Sequence, residues 1–389
     1  MIKKKQYKKC LEYIENYWES ITFKIPDDEG IKIGLPKKFI APDNQFFDRD
    51  MFYWDSYFII LGLACDGKNK IKLMKGIVDN FIYLFDRFNI IPARNRFYDL
   101  GHSQPPFLTS MILEVYRFHK NKKWLRDGAR IAHLEYDIVW KNQERLINST
   151  GLSHYWDNFY LHQTAEHESG WDMTSRFNNQ CLNILPVDLN CCLYKYETDL
   201  AQISGLLGDK ESKDRWENSA KERKNSINYY MWNAKRKFFF DYDYKKNKRI
   251  KMRTLAGFFP MWCGLASEKQ AKAMADNLKY FEYEGGLSNT EKFSNNYHLK
   301  QWDWPNGFPN LQWIVVAGLL NYGYRADAER VAKKWLELNK RIFDITGKFW
   351  EKYDVVHREI GKDGNYLTQS GFAWTNAIFV KMVEELGKK

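Results

Sequence analysis

Apolar residues recur along the chain at intervals of three and four, the spacing that gathers them on one face of a helix. Tyr7, Leu11, Ile14, Tyr17 and Trp18 share such a face and predict a first helix over about residues 2–20. Ile71, Met74, Ile77, Val78, Phe81, Leu84 and Phe85 predict a strongly two-sided helix over 70–87. By contrast, Phe58–Ala64 and Leu311–Leu320 are apolar on every side and read as buried helices. Further helices are expected at 107–118, 124–140, 186–207, 211–232, 258–266, 268–280, 325–342 and 374–386, with a short extended excursion at 238–244. A loop is expected from Pro26 to Pro42, and the polar, aromatic segment 151–180 reads as irregular. The pattern is all-α. Short loops alternate with long aromatic and acidic ones, as in a toroid of paired inner and outer helices whose one rim carries a central pocket. Helix content alone fits an open helical solenoid nearly as well.

The 389 residues carry a formal net charge of +11. A basic balance can signal a polyanion partner, but the lysines are scattered and alternate with acidic residues, as along Lys210–Lys224. The only basic block is Lys3-Lys4-Lys5, so a solvated surface is the better reading and no nucleic-acid partner is expected. The six cysteines form no Cys-x-x-Cys pair and most sit in apolar runs, which fits buried free thiols in a reducing compartment. The first twenty residues lack the apolar core of a signal peptide, and no stretch is long and apolar enough to span a bilayer. These features predict a cytoplasmic protein without a membrane partner.

One stretch stands apart: Gln301-Trp302-Asp303-Trp304-Pro305-Asn306-Gly307-Phe308-Pro309-Asn310. Proline and glycine make it a shaped loop. Two indole rings around a carboxylate are one way to hold a polyhydroxylated ligand, with sugar C–H faces on the rings and hydroxyls on the carboxylate. A Trp-rich turn capping a core is the competing reading. Asp303 could equally tie the loop together by accepting backbone N–H bonds. Aromatic residues reach 17% of the chain, which supports a sugar site. His154, His162 and His167 lie close in sequence but without zinc-ligand spacing.

With that loop the chain resembles the trehalase family of inverting glycoside hydrolases. The stretch 301–307 matches one family signature, and Trp54-Asp55-Ser56-Tyr57 with Arg49 resembles the end of another. Ile91-Pro92, Asn95-Arg96, Ser103-Gln104-Pro105-Pro106, Glu168-Ser169-Gly170-Trp171-Asp172 and Pro186-Val187-Asp188-Leu189-Asn190 follow at family spacing. So do Glu351-Lys352-Tyr353-Asp354-Val355, Gln369, Gly371-Phe372 and Trp374-Thr375-Asn376. The resemblance runs from about residue 35 to 380 and implies a single (α/α)6-barrel domain over 1–389 that hydrolyses an α-glucosidic bond, with α,α-trehalose as default substrate. It implies Asp172 as general acid and Glu351 as general base, with no metal and no cofactor. Inverting hydrolysis asks for such a pair, roughly 6.5–9.5 Å apart, one protonated and one ionised. The resemblance also implies sugar contacts at Trp54, Asp55, Asn95, Ser103, Gln104 and the backbone near Gly170, with Trp302 as a further wall.

The departures fall on substrate contacts. Where the family has two glycines, an arginine and a phenylalanine, this chain reads Asp43-Asn44-Gln45-Phe46. The family arginine before Ser103 is His102, and a glutamate expected in the glycine-rich loop is Asn365. Gln45, His102 and Asn365 are therefore the positions at which the bound sugar would differ. The same chemistry on another α-glucoside, such as glucosylglycerate or a glucose-capped oligosaccharide, is the second reading. A non-catalytic sugar-binding module is the third. The oligomeric state is not encoded in any feature of the sequence.

Overall fold

A computed structural model describes residues 4–293, 300–364 and 366–387. The helices alternate between an inner and an outer position. The inner ones are α2 (Tyr53–Leu63), α4 (Leu108–His119), α7 (Val187–Leu207), α9 (Phe259–Trp262), α11 (Pro309–Asn321) and α13 (Ala373–Gly387). Each packs on the next, and α13 packs on α2, so the ring closes. Closure excludes the open solenoid. The outer ones are α1 (Lys8–Ser20), α3 (Gly67–Phe88), α5 (Lys122–Glu135), α8 (Lys210–Met231), α10 (Glu268–Asp276) and α12 (Arg325–Thr346). A further short helix, α6, spans His162–Glu168.

The two rings differ in sequence for a physical reason. Inner α2 touches protein on every side, and all eleven of its residues are buried. Outer α3 buries Met74, Ile77, Val78, Phe81, Leu84 and Phe85 and turns its lysines to solvent. Burying roughly six such side chains at about 1.5–3 kcal/mol each is what holds an outer helix to the ring. Charge introduced at Phe81 would break that face.

Three expectations need correction. The helix expected over Phe58–Ala64 begins earlier, at Tyr53, so the acidic and aromatic residues 53–57 form its first turns and are buried with the rest. The 26–42 loop is shorter than expected: Thr22–Ile25 and Leu35–Ile40 pair as antiparallel strands, and Pro26, Gly30 and Gly34 belong to the turn between them. The segment 151–180 contains α6, whose Ala165, Glu166 and Glu168 point inward. Other short strand pairs lie in the loops. The most consequential joins Asn306–Gly307 to Tyr353–Asp354, which in turn pairs with Glu359–Ile360. It pins the Trp-rich loop against the loop that carries Glu351.

Candidate active site

A cavity of about 520 Å³ is lined by residues from loops before α2, α4, α7, α11 and α13. Asp55, Asp172 and Glu351 converge in it closely enough to shift one another's titration, with Trp54, Trp302, Phe372 and Trp374 as apolar walls. Phe46, Phe52, Arg94, Arg96, Tyr98, Asp99 and His102 line it as well. Polar groups on an aromatic frame match the two surfaces of a sugar.

Each carboxylate is placed by its own local structure. Asp55 lies in the first turn of α2, where the free backbone N–H groups favour a carboxylate. Trp54, one residue earlier, donates its backbone N–H to Gln104 Oε1 at 3.2 Å, which fixes that amide at the cavity wall. Burial pushes the Asp55 carboxyl well above the usual range, and the neighbouring charges of Glu351 and Asp172 add to the shift.

Asp172 follows a turn that only glycine permits. Gly170 has φ +72°, and a Cβ there would lie 2.6 Å from Cζ2 of Trp54. The loop is then tied down from behind. Asp303 accepts from Thr174 Oγ1 at 3.1 Å, Ser175 N–H at 2.8 Å and Ser175 Oγ at 2.7 Å. Trp302 N–H donates to Met173 O at 3.3 Å. Four residues on, Arg176 is anchored to Asp188 and Asp241. Gln301 Nε2 donates to the backbone carbonyl of Asp172 at 3.1 Å and reaches its Oδ2 at 3.4 Å. Burial raises the Asp172 carboxyl above its ordinary value. His167 opposes that shift and the Glu351 charge reinforces it.

Glu351 is held on both flanks. Its N–H donates to Gln369 O at 2.9 Å, and Trp374 Nε1 donates to its carbonyl at 3.2 Å. Its carboxylate accepts from Lys352 Nζ at 2.9 Å and from Tyr366 Oη at 2.7 Å.

The expected sugar contacts divide. Trp54, Asp55, His102, Gln104, Gly170 and Trp302 line the cavity together with Asp172 and Glu351. Asn95 and Ser103 do not, because their side chains are committed inside the protein. Asn95 accepts from Met51 N–H at 2.7 Å and donates to Ile33 O at 3.0 Å. Ser103 Oγ donates to Ile91 O at 2.6 Å, while its N–H donates to Glu168. Gln45 is exposed and outside the lining, and Asn365 lies outside the described residues. The Trp-rich loop also departs from the picture of two rings around a carboxylate. Trp302 stacks on Phe308 at 3.7 Å, Trp304 is outside the lining and Asp303 is a fully buried tie.

Several lining residues were not singled out as contacts from sequence: Arg94, Tyr98, Asp99, Phe52 and Tyr366. His167 also faces the cavity. Position was the one available signal, since Arg94, Tyr98 and Asp99 flank the motif residues Asn95, Arg96 and Ser103.

The fold and the site define a closed helical toroid with an acid-lined, aromatic-walled pocket. The chain belongs to the trehalase family: the family model matches residues 1–166 and 153–387. It is similar to the cytosolic neutral trehalase of Beauveria bassiana, 32% identical over 89% of this chain and 58% of that protein. The periplasmic trehalase of Escherichia coli O1:K1 / APEC is 32% identical over 96% of this chain and 73% of its own length. Among solved structures, neutral trehalase Nth1 from Saccharomyces cerevisiae superposes with a TM-score of 0.81 at 29% identity, over 91% of this chain and 74% of that one. The chain thus spans a little over half the length of the fungal relative. No helix among the described residues is long and apolar enough to cross a membrane.

Proposed function

We propose that this protein is an inverting glycoside hydrolase that cleaves α,α-trehalose into two glucose molecules, with residues 1–389 acting as one catalytic domain. The observation that carries this reading is the convergence of Asp172 and Glu351, distant in sequence, on one aromatic-walled cavity. Asp172 is the general acid. Burial favours its neutral form, so it holds a proton for the glycosidic oxygen. Glu351 is the general base. It takes a proton from a water molecule on the opposite face of the sugar ring. The water oxygen forms the new bond to the anomeric carbon as the old C–O bond breaks. Its proton goes to Glu351, and the proton of Asp172 leaves with the departing sugar. Inversion then yields one β- and one α-glucose. Trp54, Trp302, Asp55 and Gln104 hold the glucosyl ring, and Arg94, Tyr98 and His102 lie where the leaving sugar would sit.

Proton NMR of freshly mixed enzyme and trehalose tests this directly. Equal initial amounts of β- and α-glucose are expected. Release of α-glucose alone, or of no sugar from any α-glucoside, would sink the proposal.

A second reading keeps the chemistry and changes the leaving group. Gln45 is exposed and His102 occupies the wall where the family has an arginine, so hydrogen bonds to the leaving sugar are not those of the family pattern. Turnover of glucosylglycerate faster than of trehalose would select it. A cytoplasmic location belongs to the proposal. It is supported by six free cysteines and by the cytosolic relative, while the periplasmic relative supports export. Cell fractionation decides between them.

A further inference from the structure

The Glu351 carboxylate is engaged at both oxygens by donors from different directions. Lys352 Nζ donates to Oε2 at 2.9 Å and the Tyr366 hydroxyl donates to Oε1 at 2.7 Å. Lys352 is fully buried, and its ammonium lies over the rings of Phe308 at 5.6 Å and Tyr366 at 5.4 Å. Tyr366 is itself wedged in place. Its ring stacks on Phe46 at 5.5 Å and meets Phe47 edge-on at 5.6 Å. Two donors fixed by packing define the plane of the carboxylate.

A glutamate side chain has three rotatable bonds, so its carboxylate has no set direction unless something supplies one. A base needs more than the right charge state. One of its lone pairs must point at the attacking water at hydrogen-bond distance, and a misplacement of about 1 Å can cost about a hundredfold in rate. A carboxylate offers about four acceptor sites. Two are occupied here, which leaves one on each oxygen for the cavity.

We propose that Tyr366 and Lys352 are positioning residues that act on turnover through Glu351, by fixing the plane in which its free lone pairs face the attacking water. This inference rests on the reading of Glu351 as the base. Tyr366 is the sharper case because it lines the cavity and so has a rival role as a direct sugar contact. The two roles give different answers in a double-mutant cycle. A residue that acts only through Glu351 becomes silent once that carboxylate is gone.

The experiment measures kcat and KM for wild type, Tyr366→Phe, Glu351→Gln and the double variant on α-glucosyl fluoride and on trehalose. Fluoride departs as an anion without needing a proton, which keeps slow variants measurable. Tyr366→Phe is expected to lower kcat roughly tenfold or more, the scale of one hydrogen bond to a charged group, with KM within about twofold. In the Glu351→Gln background the same change is expected to alter the rate by less than about twofold. Equal losses in both backgrounds, or a loss carried by KM, would overturn the proposal for Tyr366. For Lys352, Lys352→Arg is expected to keep most of the rate that Lys352→Met loses. Wild-type kcat in Lys352→Met would overturn that half. Thermal unfolding of each variant separates a rate effect from a folding defect. A wild-type protein that turns over neither substrate would remove the hydrolase reading and this inference together. An active wild type with additive losses would remove the inference alone.

Discussion

Two clusters of buried and half-buried carboxylates meet at one loop, which carries Asp172 of the first and, four residues on, Arg176 of the second, and they are neutralised to different extents. Behind the cavity, Arg176 donates to Asp188 at 2.6 and 2.7 Å and to Asp241 at 2.7 Å from two nitrogens. All three side chains are buried, and the guanidinium uses a planar fork for each partner. In front, Asp55, Asp172 and Glu351 face the cavity, and of these Glu351 alone has an ion pair, to Lys352. The rear cluster has no opening to a ligand and serves as an anchor. The front cluster keeps charge and proton affinity unbalanced next to an open space, which is what acid–base chemistry uses. Burial alone does not distinguish Asp55 and Glu351 from the rear cluster. Cation count and cavity access do.

Removing the front carboxylates is the strongest way to test that contrast. Asp172→Asn and Glu351→Gln are each expected to lower kcat by about 10³-fold or more on trehalose. Asp172→Asn should keep thermal stability close to wild type, whereas Glu351→Gln should lose some because it leaves the buried Lys352 ammonium without its carboxylate. An Asp172→Asn variant that loses both activity and stability would place that carboxylate with the anchors instead.

The rear cluster should respond in the opposite way. Arg176→Met leaves Asp188 and Asp241 buried without their cation, and breaking such a pair costs about 3–5 kcal/mol. A Tm several degrees lower is expected in calorimetry, with activity falling because the Asp172 loop loses its anchor. Wild-type stability in this variant would mean that the guanidinium is not needed where it lies.

This contrast also marks what was legible in the sequence. The buried inner helices were visible because Phe58–Ala64 and Leu311–Leu320 are apolar all round, and the outer ones because their faces repeat. Asp172 and Glu351 came from motif resemblance, and the fold brings both to one cavity. Motif membership could not separate a ligand contact from a brace. Asn95, Ser103, Asp303 and Glu168 all lie in motif stretches, yet each is committed to loop hydrogen bonds. That distinction depends on the direction of a side chain, which in a loop follows from distant packing. Tyr366 was missed for the same reason, since its partner Glu351 lies across a turn and its wall, Phe46, is far away in the chain. The strand pairing of Asn306–Gly307 with Tyr353–Asp354 is likewise too short to leave a periodic signal.

A subtler test shifts the front cluster without destroying it. Asp172 must carry its proton to act, so activity should fall as pH rises through its raised value. His167 opposes that shift. His167→Gln is therefore expected to move the alkaline limb of kcat/KM to higher pH while the limb stays governed by one proton. A shift to lower pH would show that His167 does not act on Asp172 as a positive charge.

The smallest effect belongs to a third kind of buried carboxylate, one with neither a cation nor a cavity. Glu135 is fully buried at the end of α5. It accepts from Tyr53 at 2.9 and 3.0 Å, from Trp140 Nε1 at 3.4 Å and from the Tyr196 hydroxyl. Burial pushes its carboxyl up to about 7, against the pull of those donors. The folded protein therefore keeps a proton that the unfolded chain releases near the ordinary value of 4.5. Its contribution to stability is fully present below that value and is lost as pH rises towards about 7. The loss is on the order of 3 kcal/mol at most. Glu166 is pushed up to about 7 as well, so the two share the window. Glu135→Gln keeps an acceptor for the tyrosines but cannot ionise. It is expected to remove part of the fall in stability across that window and to leave kcat unchanged. Denaturant titrations at pH 4.5 and 7.5 read the difference. An unchanged slope would mean that Glu135 is ionised in the fold and stabilised by its three donors as fully as Asp188 is by Arg176.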